Sequence, residues 1–250
     1  MRRFMTGLLA IALLVSGLSP VLATENWGLS FPTPGEKPTG PATAEELLEF
    51  DAYFVAPGDE KVIYLTFDAG YENGNTEPIL DALKAHNVPA TFFLVGTYIR
   101  DNPDMIRRMV DEGHIVANHT MGHPDMSAIS DLARFRRELE EPEALYEALI
   151  GVEMPKFYRP PEGKYNAENL KLAKELGYTT LFWSLAYADW DNNAQPSKEQ
   201  AFGKLIPRIH PGAILLLHNT SATNGVIMGD LIQEYKELGY TFGCVSTLSA

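Results

Sequence analysis

A single cysteine, Cys244, stands in 250 residues. No internal disulfide is available, so in an exported protein stability must come from the core. Positive charge is also scarce. Against 33 acidic residues there are 20 Lys and Arg, a formal net charge of −13. A field of that sign excludes binding to nucleic acid or an anionic membrane through general attraction, and leaves any anionic ligand to a few local cations. No internal repeat or low-complexity segment interrupts the chain. Long apolar runs are missing except near the start, where Arg2 and Arg3 precede Gly7 to Leu18. Ser16, Gly17, Ser19 and Pro20 keep that run below the roughly 20 residues of a spanning helix.

The start reads as a secretory signal, with Val21-Leu22-Ala23 as its small-residue cleavage site. Residues 1–23 are expected to be removed and the protein exported, an uncleaved anchor being the alternative. No cysteine lies near the cleavage point, which excludes a lipoprotein anchor. Cleavage leaves 227 residues and, with two arginines gone, a formal charge of −15. That length suits one sizeable α/β domain.

Residues 24 to about 43 carry Pro32, Pro34, Pro38 and Pro41 with Gly28, Gly35 and Gly40. They read as an extended arm, packed on the domain through Trp27, Leu29 and Phe31. Ala44 to Tyr53 is a short helix candidate, so residues 24–60 form an arm and helix ahead of a main domain at 61–250. There strands and helices alternate. Strands are expected at Val62–Phe67, Val88–Val95, Ile115–Ala117, Phe157–Tyr158, Tyr178–Ser184, Ala213–Leu217 and Tyr240–Val245. Helices are expected at Thr76–His86, from Asn102-Pro103 to Gly113, Asp131–Ile150 with Pro142 breaking or kinking it, Ala167–Leu176, Lys198–Ile209 and Gly229–Leu238. The alternation predicts parallel strands with covering helices, as an open doubly wound sheet or a closed or partly closed barrel. With about 190 residues past the arm, a complete eight-unit barrel would be cramped.

Polar residues gather where these strands run out. Asp68 ends KVIYLTFD, a near-continuous apolar run of the kind buried on both faces. Taken alone it reads equally as the start of an Asx-turn. His119 and His123 lie in NHTMGHPD, where Gly122 and Pro124 argue against a helix. Two neutral imidazoles converging through a turn can clamp a divalent metal, although an isolated pair is more often just two loop histidines. Arg159 in YRPPEG is held by two following prolines and could pin a carboxylate through a two-pronged contact. Asp189-Trp190 follows the fifth strand, and His218 ends LLLH. Each is weak singly; their joint placement beyond strand ends points to an active site.

In this order TFDAG, HTMGH, RPPEG, Asp189-Trp190 and LLLH resemble the polysaccharide deacetylases of the NodB-homology type, carbohydrate esterase family 4. The resemblance covers roughly Lys61 to Leu248. NWGLSFP, YLTFDAGYENG and FWSLAYADW are most similar to the subgroup that deacetylates muramic acid, the δ-lactam-biosynthetic de-N-acetylases of spore cortex. The family fold is a distorted (β/α) barrel with fewer strands than a complete eight-unit barrel. The resemblance implies Asp68 as general base oriented by Arg159, His218 as general acid oriented by Asp189, His119 and His123 as metal ligands, and the Glu162 amide as an oxyanion donor.

The family usually carries a second acid after TFD as a metal ligand, and here that position is Ala69. A divalent ion of the Zn or Mn type is therefore expected to bind weakly. Tyr71, Tyr187 and Trp190 are candidates for sugar stacking, while Trp183, inside an expected strand, reads as core. Lys164 could meet the lactyl carboxylate of muramic acid, an exposed lysine being the simpler reading. His86, His114 and His210 read as structural. The expected partners are peptidoglycan glycan strands, acted on by a monomer outside the cytoplasm. Alternatives are a chitin-oligosaccharide, N-acetylglucosamine or xylan deacetylase, or a non-catalytic wall-binding protein on the same scaffold.

Overall fold

The computed structural model describes residues 24–248; the signal expected at residues 1–23 lies outside them. From the arm the chain runs through β1 (Glu25–Asn26), α1 (Ala44–Leu48), β2 (Ala52–Tyr53), β3 (Val62–Ala69), α2 (Thr76–His86), β4 (Ala90–Leu94), α3 (Gly96–Asp101), α4 (Pro103–Asp111) and β5 (Ile115–Asn118). It continues with α5 (Leu132–Ile150), β6 (Phe157–Tyr158), β7 (Lys164–Tyr165), α6 (Ala167–Glu175), β8 (Thr179–Leu181), β9 (Leu185–Ala186), α7 (Lys198–Leu205), β10 (Ala213–His218), α8 (Ala222–Glu237) and β11 (Thr241–Phe242).

The main sheet has the order β2-β8-β6-β5-β4-β3-β10-β9, with β11 also paired to β3. Every pairing in it is parallel. Only residues 182–184 separate β8 from β9. One stretch of chain thus joins β6 and β2 at one end and β10 at the other, with the Ser184 N–H donating to the Ile214 carbonyl at 2.9 Å. Val55 bridges Ala213 from the far side. The sheet is accordingly curled into the partly closed, distorted (β/α) barrel that the family resemblance implied, one of the alternatives that the alternating pattern left open.

Strand parity sorts side chains into two layers. Ile63, Leu65 and Phe67 of β3 pack outward with Ile79, Leu80 and Leu83 of α2 and Met228, Leu231 and Ile232 of α8. Tyr64, Phe93, Ala117, Leu181 and Ile214 fill the barrel interior. Thr66 and Asp68 share the parity of Tyr64, and His218 that of Ile214, so the polar residues continue the inner layer toward the strand ends.

Several elements depart from the sequence pattern for local reasons. The helix expected over Ala44–Tyr53 stops at Leu48, because Asp51 adopts φ 52° and turns Ala52 and Tyr53 into a strand beside Thr180 and Leu181. Asn102 does not cap α4; its side-chain amide instead donates to the Tyr98 carbonyl of α3, whose C-cap it is. α5 runs through Pro142 without a break: one ladder bond is lost, and Phe135, Leu139 and Tyr146 bury its apolar face on both sides of the proline. The single strand expected over Tyr178–Ser184 is short, ending at Leu181 before the chain crosses to β9.

Closure of the barrel crowds the turn before β10. Gly212 has φ +75°, accepts the Ala56 N–H at 2.8 Å, and has room for no side chain, since a Cβ would lie 2.7 Å from the Ala56 oxygen. Gly58 has a similar φ of +79° with nothing within 4 Å. Gly58→Ala is expected to cost about 1 kcal/mol, the left-handed penalty alone. Gly212→Ala should cost at least about 3 kcal/mol, because overpacking adds to that penalty. Urea unfolding of the two variants checks the difference, and equal losses would contradict the crowding.

Candidate active site

At the carboxyl ends of the strands lies a cavity of about 840 Å³, lined among others by Asp68, His119, His123, Glu162 and His218. This is where parallel α/β architectures place their ligands, because the loops there vary while the sheet stays rigid.

Asp68 ends the inner face of β3 and is only 8 % exposed. Its Oδ1 accepts a hydrogen bond from Arg159 Nη1 at 2.8 Å. Burial pushes the carboxyl pKa up, but the Arg159 guanidinium, by its charge and its hydrogen bond and with smaller contributions from the neighbouring imidazoles, outweighs that and holds it below the ordinary carboxylate value. Arg159 itself is fully buried. Its Nε donates to the Leu181 carbonyl at 2.9 Å, and its Nη2 donates to Thr66 Oγ1 at 2.9 Å and the Phe182 carbonyl at 3.2 Å. The guanidinium lies 4.2 Å from the centroid of the Phe93 ring. The two-pronged contact expected for Arg159 is therefore single, since the second Asp68 oxygen faces His119 and the second arginine nitrogen is taken by Thr66.

His119 follows β5 and is buried. Its Nδ1 lies 2.8 Å from the Arg159 carbonyl, which can only accept, so Nδ1 carries the proton. Burial lowers the ring pKa to about 4, leaving it neutral near pH 7 with a bare lone pair on Nε2. That lone pair faces Asp68 Oδ2 at 3.5 Å. Two acceptors opposed in a buried site call for a proton or a cation near them. The exposed His123 ring meets His119 edge-on, centroids 4.8 Å apart. The loop between them contains two strained residues, Thr120 with φ 69° and His123 with φ 57°. It is pinned where Thr120 Oγ1 accepts the His123 N–H and where the Gly122 N–H reaches Glu138 on α5.

His218 ends β10 and is the register partner of Asp68 on the neighbouring strand. Its Nδ1 donates to Asp189 Oδ1 at 2.7 Å. Asp189, fully buried, also accepts the His218 backbone N–H at 2.8 Å and the Asn224 amide at 2.6 Å. Burial lowers the imidazole pKa, but Asp189 and then Asp68 more than reverse this, and it sits above the ordinary histidine value. Two oppositely biased groups thus face one cavity: a carboxyl biased toward its ionised form and an imidazole biased toward its protonated form.

Glu162 projects at the rim from the Pro161–Gly163 turn with φ 56°. Its carboxylate pairs with Lys164 at 2.6 Å, and Lys164 lies 3.7 Å from Asp125, so that lysine is not a free cation. Among the described residues the Glu162 amide donates to no protein acceptor. Tyr71 and Trp190, 53 % and 63 % exposed, and the half-buried Tyr187 line the cavity. Tyr187 is also tied inward, its hydroxyl donating to Asn224 Oδ1 at 2.5 Å. Trp183, expected in the core, is partly buried against the cluster of Trp27 and Phe182 and also lines the cavity, because the chain leaves β8 before reaching it. His86, His114 and His210 lie elsewhere.

Thr66, Asn224 and Asn219 escaped the sequence reading. Period-two parity from Asp68 could have found Thr66, whereas no spacing signals Asn224 or Asn219, which belong to the turn and first residues of α8. For a divalent ion, the available ligands are the imidazoles of His119 and His123, with Asp68 Oδ2 beside them. Ala69 lines the cavity but offers no donor, and packs in the outer layer with Phe67. Among the described residues no cluster of three or more His, Cys, Asp or Glu is set to hold a metal. The donor set fits a loosely held ion.

The model of the polysaccharide deacetylase family matches residues 56–181. The chain is 40 % identical over 224 residues to the peptidoglycan-N-acetylmuramic acid deacetylase PdaA of Bacillus subtilis, covering 89 % of this chain and 85 % of that protein. The solved structure of Bacillus subtilis PdaA, a family 4 carbohydrate esterase, superposes with a TM-score of 0.85 at 39 % identity, covering 90 % of this chain and 97 % of that one. A chitooligosaccharide deacetylase of Rhizobium leguminosarum bv. trifolii is 40 % identical over 164 residues, 66 % of this chain and 74 % of that protein.

The buried pair sets an expectation that does not depend on chemistry. Arg159→Leu leaves Asp68 without its cation and should cost about 3–5 kcal/mol of stability. Adding Asp68→Asn should restore part of that loss. The double-mutant cycle is measured by denaturant unfolding, and additive losses would mean that the two side chains are not coupled.

Proposed function

Because the chain belongs to the polysaccharide deacetylase family, we propose that it hydrolyses the N-acetyl amide of N-acetylmuramic acid in peptidoglycan, releasing acetate and leaving a free amine. The observation that carries this is the placement of Asp68 and His218 as register partners on adjacent strands, their protonation biased in opposite senses at one cavity. A base and an acid so placed flank an amide: one side takes a proton from water and the other gives one to the nitrogen.

In this reading Asp68 accepts the proton of the attacking water, while Arg159 holds the carboxylate ionised and aimed. The Glu162 N–H, without a protein acceptor, receives the oxygen that becomes anionic as the acetyl carbon turns tetrahedral. His218 Nε2 delivers a proton to the leaving nitrogen, and Asp189 fixes the ring so that Nε2 faces the cavity. His119 and His123 would hold a divalent ion, whose chemistry when bound is Lewis-acid polarisation of the acetyl carbonyl and acidification of water. Tyr71, Tyr187 and Trp190 supply flat apolar surface for the sugar.

Muramic acid is favoured as the substrate by similarity to PdaA along nearly the whole chain, arm included. Once deacetylated, its amine lies near its own lactyl carboxyl, so closure of a six-membered lactam is intramolecular and strongly assisted. That product belongs to spore cortex, which makes sporulation the proposed setting. A glycan in the wall requires export, consistent with the signal expected at residues 1–23; among the described residues no helix is long and apolar enough to cross a membrane. We propose an arm and short helix at 24–60 ahead of a deacetylase domain at 61–250, the protein acting as a monomer. The second reading is deacetylation of chitin oligosaccharides, raised by the Rhizobium relative.

Mass spectrometry of denuded glycan strands after incubation should find acetyl lost from muramic units. Loss confined to N-acetylglucosamine would overturn the substrate assignment. Asp68→Asn and His218→Ala should each lower turnover by about two to four orders of magnitude. A variant retaining more than about a tenth of turnover would remove that residue from the mechanism.

The pH profile tests the acid separately. A general acid works while protonated, so kcat/KM should fall as pH rises through the raised pKa of His218, above the ordinary histidine value. Asp189→Asn removes the anion that raises it, leaving at most a neutral amide oxygen to accept from Nδ1, and should move this alkaline limb down by about one pH unit or more. An unmoved limb would assign the titration to another group.

A further inference from the structure

We propose that Trp27, in the arm outside the matched family region, is a positioning residue that ties together two walls of the active site. The inference rests on the role given above to the Glu162 amide.

Trp27 makes two polar contacts, and both reach the cavity from behind. Its backbone N–H donates to the Gly163 carbonyl at 2.9 Å. Its indole Nε1–H donates to the Trp183 carbonyl at 2.8 Å. Gly163 closes the turn that presents Glu162, and Trp183 lines the cavity beside Arg159, its ring 5.8 Å from the guanidinium. The preceding residues extend the brace, since Glu25 and Asn26 pair antiparallel with Tyr165 and Lys164.

The turn needs such a brace. Glu162 has φ 56° and Gly163 φ 66°, two successive left-handed residues of which the first carries a side chain. A conformation of that kind persists only where its surroundings over-determine it. Pro160 and Pro161 fix the chain before it, and Trp27 fixes the chain after it. The fit is close: a Cβ on Gly163 would lie 2.7 Å from the Trp183 ring and 2.8 Å from Trp27 Cβ. Trp27 is in turn immobilised, 6 % exposed and stacked on Phe182 with centroids 4.5 Å apart. Gly40 makes room for it, because a Cβ there would meet the indole at 2.9 Å. Without the indole to anchor it on Phe182 and the Trp183 carbonyl, the arm no longer holds the Trp27 backbone N–H against Gly163. The turn is then free to leave its left-handed geometry, and the Glu162 amide rotates away from the reacting carbonyl.

The test uses the chain with its arm intact, Trp27→Ala, Trp27→Phe, which keeps an aromatic ring but deletes the indole N–H, and Leu231→Ala as a core control on α8. Steady-state kinetics are run on the muramic glycan, and hydrogen exchange is followed by mass spectrometry on peptides spanning residues 158–166 and 182–187. Trp27→Ala should lower kcat by about tenfold or more with KM within about twofold, as loss of a transition-state donor does. Exchange at 158–166 should rise at least about tenfold while β3 and β10 keep their protection. Trp27→Phe should loosen 182–187 more than 158–166, because it loses only the contact to Trp183. Unchanged exchange at 158–166 in Trp27→Ala overturns the proposal, and so does an equal kcat loss in Leu231→Ala. Should Trp27→Ala fail to fold, unchanged exchange at 182–187 in Trp27→Phe overturns it. A wild type without deacetylase activity would sink the proposed function, and the exchange data would still decide the positioning role.

Discussion

The ion pair between Asp68 and Arg159 is the interaction on which the rest of the site depends. A fully buried guanidinium is tolerable only when its donors are occupied and its charge is met. Here Thr66, Leu181, Phe182 and Asp68 occupy them, and the Phe93 ring takes one face. Those partners come from β3, β4, β8 and the segment after β8, so the arginine links several strands through the interior of the barrel. The same contact keeps the carboxyl ionised where burial alone would neutralise it. Stability and chemistry are therefore set by one contact.

Around that pair the site is assembled from strand ends. His119 leaves β5, Arg159 leaves β6, Asp68 ends β3 and His218 ends β10, each on the inward parity. The parallel sheet turns residues distant in sequence into neighbours without needing any loop to be long. Strain is concentrated where the sheet ends: Thr120, His123 and Glu162 all have positive φ, and all lie in the two loops that carry the imidazoles and the free amide. Such geometry is held by the surrounding frame, by Glu138 on one side and the arm on the other.

The rim is shaped more by restraint of charge than by excess of it. The net charge is −13, and the cations near the cavity are committed, Arg159 to Asp68 and Lys164 to Glu162 and Asp125. What the cavity does expose is aromatic, in Tyr71 and Trp190, the kind of flat apolar surface on which the proposed glycan substrate would stack.

Much of this was legible in the sequence. Apolar runs ending in a titratable residue located β3 and β10 together with Asp68 and His218, because strand burial and strand ends leave a local imprint. The alternation of elements implied a parallel, helix-covered sheet, and five ordered motifs identified the family. What depended on contacts between distant segments was not legible. The turn at Asp51 that makes Ala52 and Tyr53 a strand, the place of Trp183 between a core cluster and the cavity wall, and the single-pronged reach of Arg159 all follow from how the sheet curls and closes. Asn224 joined the Asp189 and His218 pair for the same reason. Sequence by itself determined which groups could do chemistry and on which strand face they lie, since periodicity is local. Tertiary structure alone decided which atoms meet and in which protonation state, since burial and Coulombic partners are properties of the closed barrel.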